Sequence, residues 1–322
     1  MDAITETKST PQIAGFWRRV LGCLIDSAVL GAVGMAMGLF LSDVFMQMGG
    51  WARLVGFGIG LLYFGILNSR VGNGQTLGKR VARTKVVSSS GATLGLGRSF
   101  LRFTILAAPL FLNHARIPPQ LLTTWLGVAI SVLLFGVGVS TIYLLVFNRR
   151  TRQGLHDLAV GSFVIKAPAD SSAINSQINK AHYVVVAALI LASAILPSFL
   201  LARFGGSDFF APLLSVQGKV MEHPDISYAS VSEGQNFFSA ASGTKRTTGV
   251  GMNVILKRRV PNDEALADEV ARTLFKSLPR AAEKDVVSIV VTSGFDIGIA
   301  SGWSNHVYAH SPAQWQARLG SH

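Results

Sequence analysis

The chain has 322 residues, of which 49% are hydrophobic and 14% charged, with a mean hydropathy of +0.42 and a net charge of +12. A soluble domain carries about 25% charged residues, so this chain is poor in charge yet strongly basic. That pairing excludes a disordered chain, the single cysteine, Cys23, excludes a disulfide-stapled secreted domain, and both disfavour one soluble enzyme domain.

In chain order, residues 1–15 form a polar tail, followed by Arg18-Arg19 and the first apolar run, 20–41. This start reads as uncleaved: no small-residue cleavage site follows, and Asp26 inside the run is unusual for a signal. Further apolar runs cover 54–67, 103–112, 121–147 and 184–202. The first, fourth and fifth reach the ~20 residues that cross ~30 Å of hydrocarbon. The second does so with Trp51 and Arg53 at the interface. The third is short, cut by Arg102 on one side and by residues 113–120 on the other.

The charge decides the topology. Residues 1–202 hold 17 Lys and Arg against 6 Asp and Glu, and residues 203–322 hold 12 against 11. The cations lie in short loops: seven in 69–102 and five in 148–180, against Arg53 and Arg116 alone in 42–53 and 113–120. This is the positive-inside pattern and not a nucleic-acid surface. Both basic loops are cytoplasmic only if 99–147 crosses twice. The expectation is five spans, a cytoplasmic N-terminus and an extracytoplasmic C-terminal domain, with anionic lipid headgroups at the cytoplasmic loops.

Residues 18–87 and 98–165 read as weak copies of each other. At an offset of 80, Arg18 meets Arg98, Tyr63 meets Tyr143, Asn68 meets Asn148 and Arg70 meets Arg150. After a two-residue deletion, Gln75-Thr-Leu-Gly-Lys faces Gln153-Gly-Leu-His-Asp and Lys85-Val-Val faces Phe163-Val-Ile. A duplication with its axis along the membrane normal is one reading; chance likeness between two membrane hairpins is the other.

Asp26 lies seven residues past Arg19, about 10 Å along the helix. An unpaired carboxylate at that depth costs several kcal/mol. Arg19 and Asp26 share a helix face without touching, so the candidate partners of Asp26 are Lys79, Arg80 and Arg150. The functional alternative is an ion-coupling or proton site; the structural one is a buried pair that fixes packing.

The stretch Phe16-Trp-Arg-Arg-Val-Leu-Gly-Cys-Leu-Ile-Asp26, the stretch Gly74-Gln-Thr-Leu-Gly-Lys-Arg-Val-Ala-Arg-Thr-Lys-Val-Val87 and the stretch Arg152-Gln-Gly-Leu-His-Asp-Leu-Ala-Val-Gly-Ser-Phe-Val-Ile165 resemble motifs of the RDD family of bacterial membrane proteins. The resemblance covers about residues 12–166 and maps the family's arginine and two aspartates to Arg19, Asp26 and Asp157. It implies an inner-membrane location, with ion or solute transport proposed for some relatives. Gly154 stands where the pattern usually has Thr, so that hydroxyl is missing here.

Gly72-Asn-Gly-Gln-Thr-Leu-Gly-Lys-Arg80 fails as a phosphate loop: Asn73 replaces the first glycine and Arg80 the hydroxyl residue. His156 and Asp157 are adjacent, and neighbours on a helix do not face each other, so no dyad is expected. Asp157 is expected to pair with Arg80 or Arg83. Gly34-x-x-x-Gly38 and Gly56-x-x-x-Gly60, on the first two spans, predict tight packing within the bundle or between protomers, and no chemistry.

Beyond residue 204 the pattern is α+β. A helix over 263–280 has Asp263 and Glu264 at its start, and Leu266, Val270, Leu274 and Leu278 form one apolar stripe. Strands are expected at 250–257, 285–292 and 297–303, with two more at 213–220 and 226–231. His306 and His310 are expected to straddle a loop. His223, His306 and His310 lack a zinc-protease context, and the sequence points to no catalytic set, cofactor or metal.

The fold class expected is an α-helical membrane bundle of about five spans, read as a 2+2 repeat plus one anchor helix, with a C-terminal soluble α+β domain. The segments are a tail (1–15), a transmembrane domain (16–167), a linker (168–182), a fifth span (183–203) and the extracytoplasmic domain (204–322). Two functions fit: an ion-coupled transporter or exchanger using Asp26, as a homo-oligomer, or a membrane-anchored accessory or receptor protein whose outer domain meets a protein partner. Neither is an enzyme.

Overall fold

The computed structural model describes residues 12–113, 124–168, 173–204, 209–240 and 243–320. Arg116, most of the 113–120 connection, residues 1–11 of the polar tail and part of the 168–182 linker lie outside them. The chain divides into two compact units. The first comprises Met1–Ala36, Arg53–Phe199 and Ile297–Ala300; the second comprises Met37–Ala52, Leu200–Asp296 and Ser301–His322.

Helix α1 (Phe16–Met48) runs 33 residues without proline and stops where Gly49 turns to φ +57°. Helix α2 (Arg53–Leu67) follows a short 3-10 turn. A five-residue helix α3 (Leu77–Val81) is capped by Thr76, whose hydroxyl accepts from the Lys79 N–H at 3.2 Å. Strand β1 (Thr84–Ser88) leads to α4 (Leu96–Leu112). Then α5 (Trp125–Ser131), a π-helical stretch (Val132–Val137) and α6 (Gly138–Phe147) form one continuous apolar rod. A second short helix, α7 (Leu155–Val160), ends at Gly161 in the left-handed region and runs into β2 (Ser162–Lys166). Helix α8 (Lys180–Phe204) follows.

Among the described residues three stretches are long and apolar enough to cross a membrane: Phe16–Leu67, Trp125–Phe147 and Lys180–Phe204. Exposed apolar side chains line them, among them Phe40, Leu62, Ile142 and Phe199, as expected where lipid is the solvent.

The small sheet β1–β2 is antiparallel, and its register pairs Val86 with Val164. These two residues are equivalents at the sequence offset of 78, so the strand pair is symmetric about a point between them. The symmetry extends to the bonds around it. Gln75 Nε2 donates to the Thr84 carbonyl at 2.9 Å, and Gln153 Nε2 to the Ser162 carbonyl at 2.8 Å. Arg18 Nη1 donates to the Ala82 carbonyl at 3.2 Å, and Arg98 Nε to the Val160 carbonyl at 3.0 Å. These donors and acceptors map onto each other at the repeat offsets.

The glycine spacings have a different use from helix-on-helix packing at two positions. Gly60 and Gly65 of α2 do admit Phe103 and Phe100 of α4. Gly34 and Gly56, however, face Ile297, Ile299 and Ala300, and a Cβ at Gly56 would stand 1.8 Å from the Ile297 carbonyl oxygen. In the second unit Gly38 faces the ring of Phe295.

The second unit holds a four-stranded mixed sheet ordered β3 (Ile226–Ala240), β4 (Gly243–Leu256), β5 (Val286–Asp296), β6 (Ser301–His310). The β4–β5 pair is parallel, joined by α10 (Asp263–Ser277); the outer pairs are antiparallel hairpins. Its core takes Leu213, Val216 and Val220 of α9 (Phe210–Met221), Val270 and Leu274 of α10, alternate residues of the strands, and Trp315 of α11 (Pro312–Gly320).

Three expectations for residues beyond 204 change. Residues 213–220 are helical, because their apolar positions recur every three or four residues. Residues 297–300 are the turn of the β5–β6 hairpin, closed by the Ile297 N–H bonded to the Ala300 carbonyl at 3.0 Å, so β6 starts at Ser301. His306 and His310 both lie within that strand. Trp315 is fully buried and its indole N–H donates to the Val287 carbonyl at 2.9 Å. Trp315→Ala should cost this unit about 3–5 kcal/mol, read as a lower midpoint in denaturant melts of the full chain.

Candidate functional site

Among the described residues, the polar interior of the first unit is organised around two buried carboxylates, Asp26 and Asp157. Each joins a long helix to a short one, and each belongs to a different half of the repeat.

Asp26 sits on α1 where Gly22 lets α3 approach; a Cβ at Gly78 would stand 2.0 Å from the Gly22 carbonyl oxygen. Its Oδ1 accepts from the Gly78 N–H at 2.8 Å and from the Tyr63 hydroxyl at 2.7 Å, and its Oδ2 from the Thr76 hydroxyl at 2.6 Å. The carboxylate thus ties α1, α2 and the start of α3 together. Among the described residues Asp26 has no ion pair, so the expected partners Lys79, Arg80 and Arg150 are replaced by three uncharged donors. Lys79 lies over the Phe64 ring at 5.6 Å. Burial and the neighbouring Arg102 draw its ammonium below the ordinary lysine range, to about 8. Arg80 and Arg150 are exposed.

Asp157 sits on α7 and gathers charges. Arg102 Nε of α4 donates to its Oδ1 at 2.8 Å, the Ser162 hydroxyl to the same oxygen at 2.7 Å, and Arg19 Nη1 lies 3.5 Å from its Oδ2. Arg19 also donates to the Arg152 carbonyl at 2.6 Å and the Val164 carbonyl at 3.3 Å, so the first helix is fastened to the second half. The expected pairing with Arg80 or Arg83 is therefore replaced by Arg102 and Arg19. Arg102, which reads in the sequence as an interruption of an apolar run, is the principal counter-ion.

His156 and Asp157 do face each other, with Nε2 at 3.3 Å from Oδ2. Gly154 makes room for the ring. A Cβ at Gly154 would meet His156 Cε1 at 2.8 Å. The missing threonine hydroxyl is thus the space that the imidazole occupies.

Electrostatics follow from burial. Desolvation would push Asp157 up, yet Arg102, His156 and Arg19 together hold it well below the ordinary carboxylate range. Desolvation outweighs Asp157 at His156 and lowers its pKa, which favours the neutral imidazole. The sign follows: with the folded value depressed, the His156 contribution is whole above about 6.5, the unfolded value, and is lost as pH falls toward the folded one. Acid titration of thermal stability should show a decline starting below about pH 6.5, and His156→Gln should remove it. The Asp157 contribution is lost only below about pH 4.

Tyr63, Thr76, Arg102 and Ser162 complete the two clasps. The Tyr63–Tyr143 match is the sequence signal for Tyr63, and the Thr-Leu-Gly helix start is the signal for Thr76. Among the described residues no group of three or more His, Cys, Asp or Glu is placed to hold a metal ion.

Apolar helices of spanning length, clasped by two buried carboxylates at a two-stranded hub, define a membrane-protein domain. Residues 13–161 match the sequence model of the RDD family, so the N-terminal part of the chain is an RDD-family domain. Arg19, Asp26 and Asp157, the three positions mapped from its motifs, all lie in the two clasps. No curated protein and no solved structure matches the chain.

Proposed function

We propose that the chain is a five-span protein of the bacterial inner membrane, in which the RDD bundle is a non-catalytic anchor for an extracytoplasmic binding module. The observation that carries this reading is the filling of both carboxylates by donors from the chain itself, the arrangement of a clamp. Five spans are supported by the helix ends. Bonds of Arg18, Tyr63, Arg98 and Tyr143 gather the starts of α1, α4 and α8 and the ends of α2 and α6 around the hub. Alternating directions then give α2 and α4 a crossing each. The positive-inside rule assigns the hub to the cytoplasm.

A binding role for the second unit is supported by its sheet. Positions alternating with the core, such as Asn253, Asn305 and Val307, are exposed, Val307 by 62%. The test is deletion of residues 205–322: the bundle should stay in the membrane and a co-purifying protein partner should be lost. Retention of that partner would refute the reading. A C-terminal reporter active only in the cytoplasm would refute the topology.

Ion-coupled transport by a homo-oligomer is the second reading, favoured by one observation: Asp26 is fully buried and its donors carry no charge. Proteoliposomes should then show Na⁺ or H⁺ flux that Asp26→Asn abolishes. Equal flux in both proteins would remove Asp26 from any transport role.

A further inference from the structure

The two halves of the repeat differ where the short helix ends. Arg80 and Arg83 in the first half correspond to Leu158 and Gly161 in the second. Both short helices finish with a residue in the left-handed region: Gly161 at φ +60° and Arg83 at φ +51°. Glycine takes this conformation freely, whereas a side chain there is strained. The second half shows that the local fold forms without a cation at either place. Arg83 thus keeps a conformation that favours glycine, as Arg152 does at φ +49° opposite Gly74, so it is the exposed cations at 80 and 83 that set the first half apart.

Around Arg83 the surface is uniform in character. Arg18 reaches the Ala82 carbonyl and so stands at the same corner. Arg80 and Arg83 are exposed, and their guanidinium groups have no hydrogen bond or ion pair among the described residues. Beside them α1 and α3 expose Trp17 by 79% and Val81 by 64%, with Leu21 and Leu77. The stretch 69–102 contains no acidic residue. Cations next to an exposed indole and aliphatic side chains match a bilayer interface, where phosphate lies just above acyl chain.

We propose that Arg18, Arg80 and Arg83 form a binding site for one anionic phospholipid headgroup, with no counterpart at Leu158 and Gly161 in the second half of the repeat. The proposal rests on the membrane reading above. The arginines take the phosphate, for which the planar guanidinium is suited, and Trp17, Leu77 and Val81 border the first acyl carbons.

The test uses the purified full chain in detergent, titrated with phosphatidylglycerol or phosphatidylcholine and followed by native mass spectrometry and thermal melting. Phosphatidylglycerol should be retained preferentially and should raise the melting temperature. Arg83→Gly and Arg80→Gln should each weaken its binding about five-fold. Arg83→Gly alone should melt no lower than wild type in phosphatidylcholine, because it restores the residue of the second half. Equal retention of both lipids, or a preference untouched by the substitutions, overturns the site. Full competition by millimolar inorganic phosphate would make it a soluble-anion site and also overturn the proposal. Extraction of the chain from membranes by alkaline carbonate would instead overturn the membrane reading, which separates the two failures.

Discussion

Asp157→Ala should destabilise the first unit by about 3–5 kcal/mol, the range for removing one partner of a buried ion pair. Most of that cost lies in the two cations that the substitution leaves unpaired. Arg102 and Arg19 are nearly buried, and without Asp157 neither keeps its carboxylate while each feels the charge of the other. The Ser162 hydroxyl is deprived of its acceptor as well. Thermal melts and limited proteolysis of the full chain in detergent measure the destabilisation. Arg102→Met in the Asp157→Ala background should recover part of it, since replacing both charges removes the unpaired one. Additive effects would show that the two residues do not act as a pair.

The second large effect is expected at Asp26. Asp26→Ala strips the Tyr63 hydroxyl, the Thr76 hydroxyl and the Gly78 N–H of their acceptor at once. Each buried donor left unsatisfied costs about 1–3 kcal/mol, so a total of about 3 kcal/mol or more is expected. Tyr63→Phe removes one donor and keeps the carboxylate, and should cost about 1–2 kcal/mol. The same melts should therefore place Asp26→Ala well below Tyr63→Phe. If the two were equal, Tyr63 alone would account for the clasp.

Asp26 and Arg102 mark where the sequence is legible and where it is not. Asp26 is conspicuous because a carboxylate in an apolar run must find partners, and that necessity needs no coordinates. Which partners it finds does not follow. The candidates are cations, since charge is what a sequence displays most openly, whereas the structure meets the carboxylate with a tyrosine, a helix cap and a backbone amide. Backbone donors carry no letter in a sequence. Arg102 is hidden for the opposite reason: it is visible as a charge that shortens an apolar run, and its role depends on α4 passing beside α7.

The second unit divides in the same way. The period-four stripe from Leu266 to Leu278 identifies α10, and apolar runs locate β4 and β5. The segment 213–220 is expected as a strand, but its buried Leu213, Val216 and Val220 recur at helical spacing and make it α9. The 297–303 stretch holds enough apolar residues for a strand, but Gly298 at φ +82° turns the chain there.

From sequence alone, the apolar runs and the three RDD motifs mark the N-terminal half of this chain as membrane-associated, and the change of pattern beyond residue 204 marks an α+β part. Those are properties of composition and period, and they survive without knowing any contact. Only the tertiary structure decided that the two basic loops meet in one symmetric strand pair. Only it decided that Asp26 closes on neutral donors and that Asp157 holds three basic side chains. Such choices depend on which helices are neighbours, and in an apolar bundle the letters facing lipid and the letters facing protein look alike.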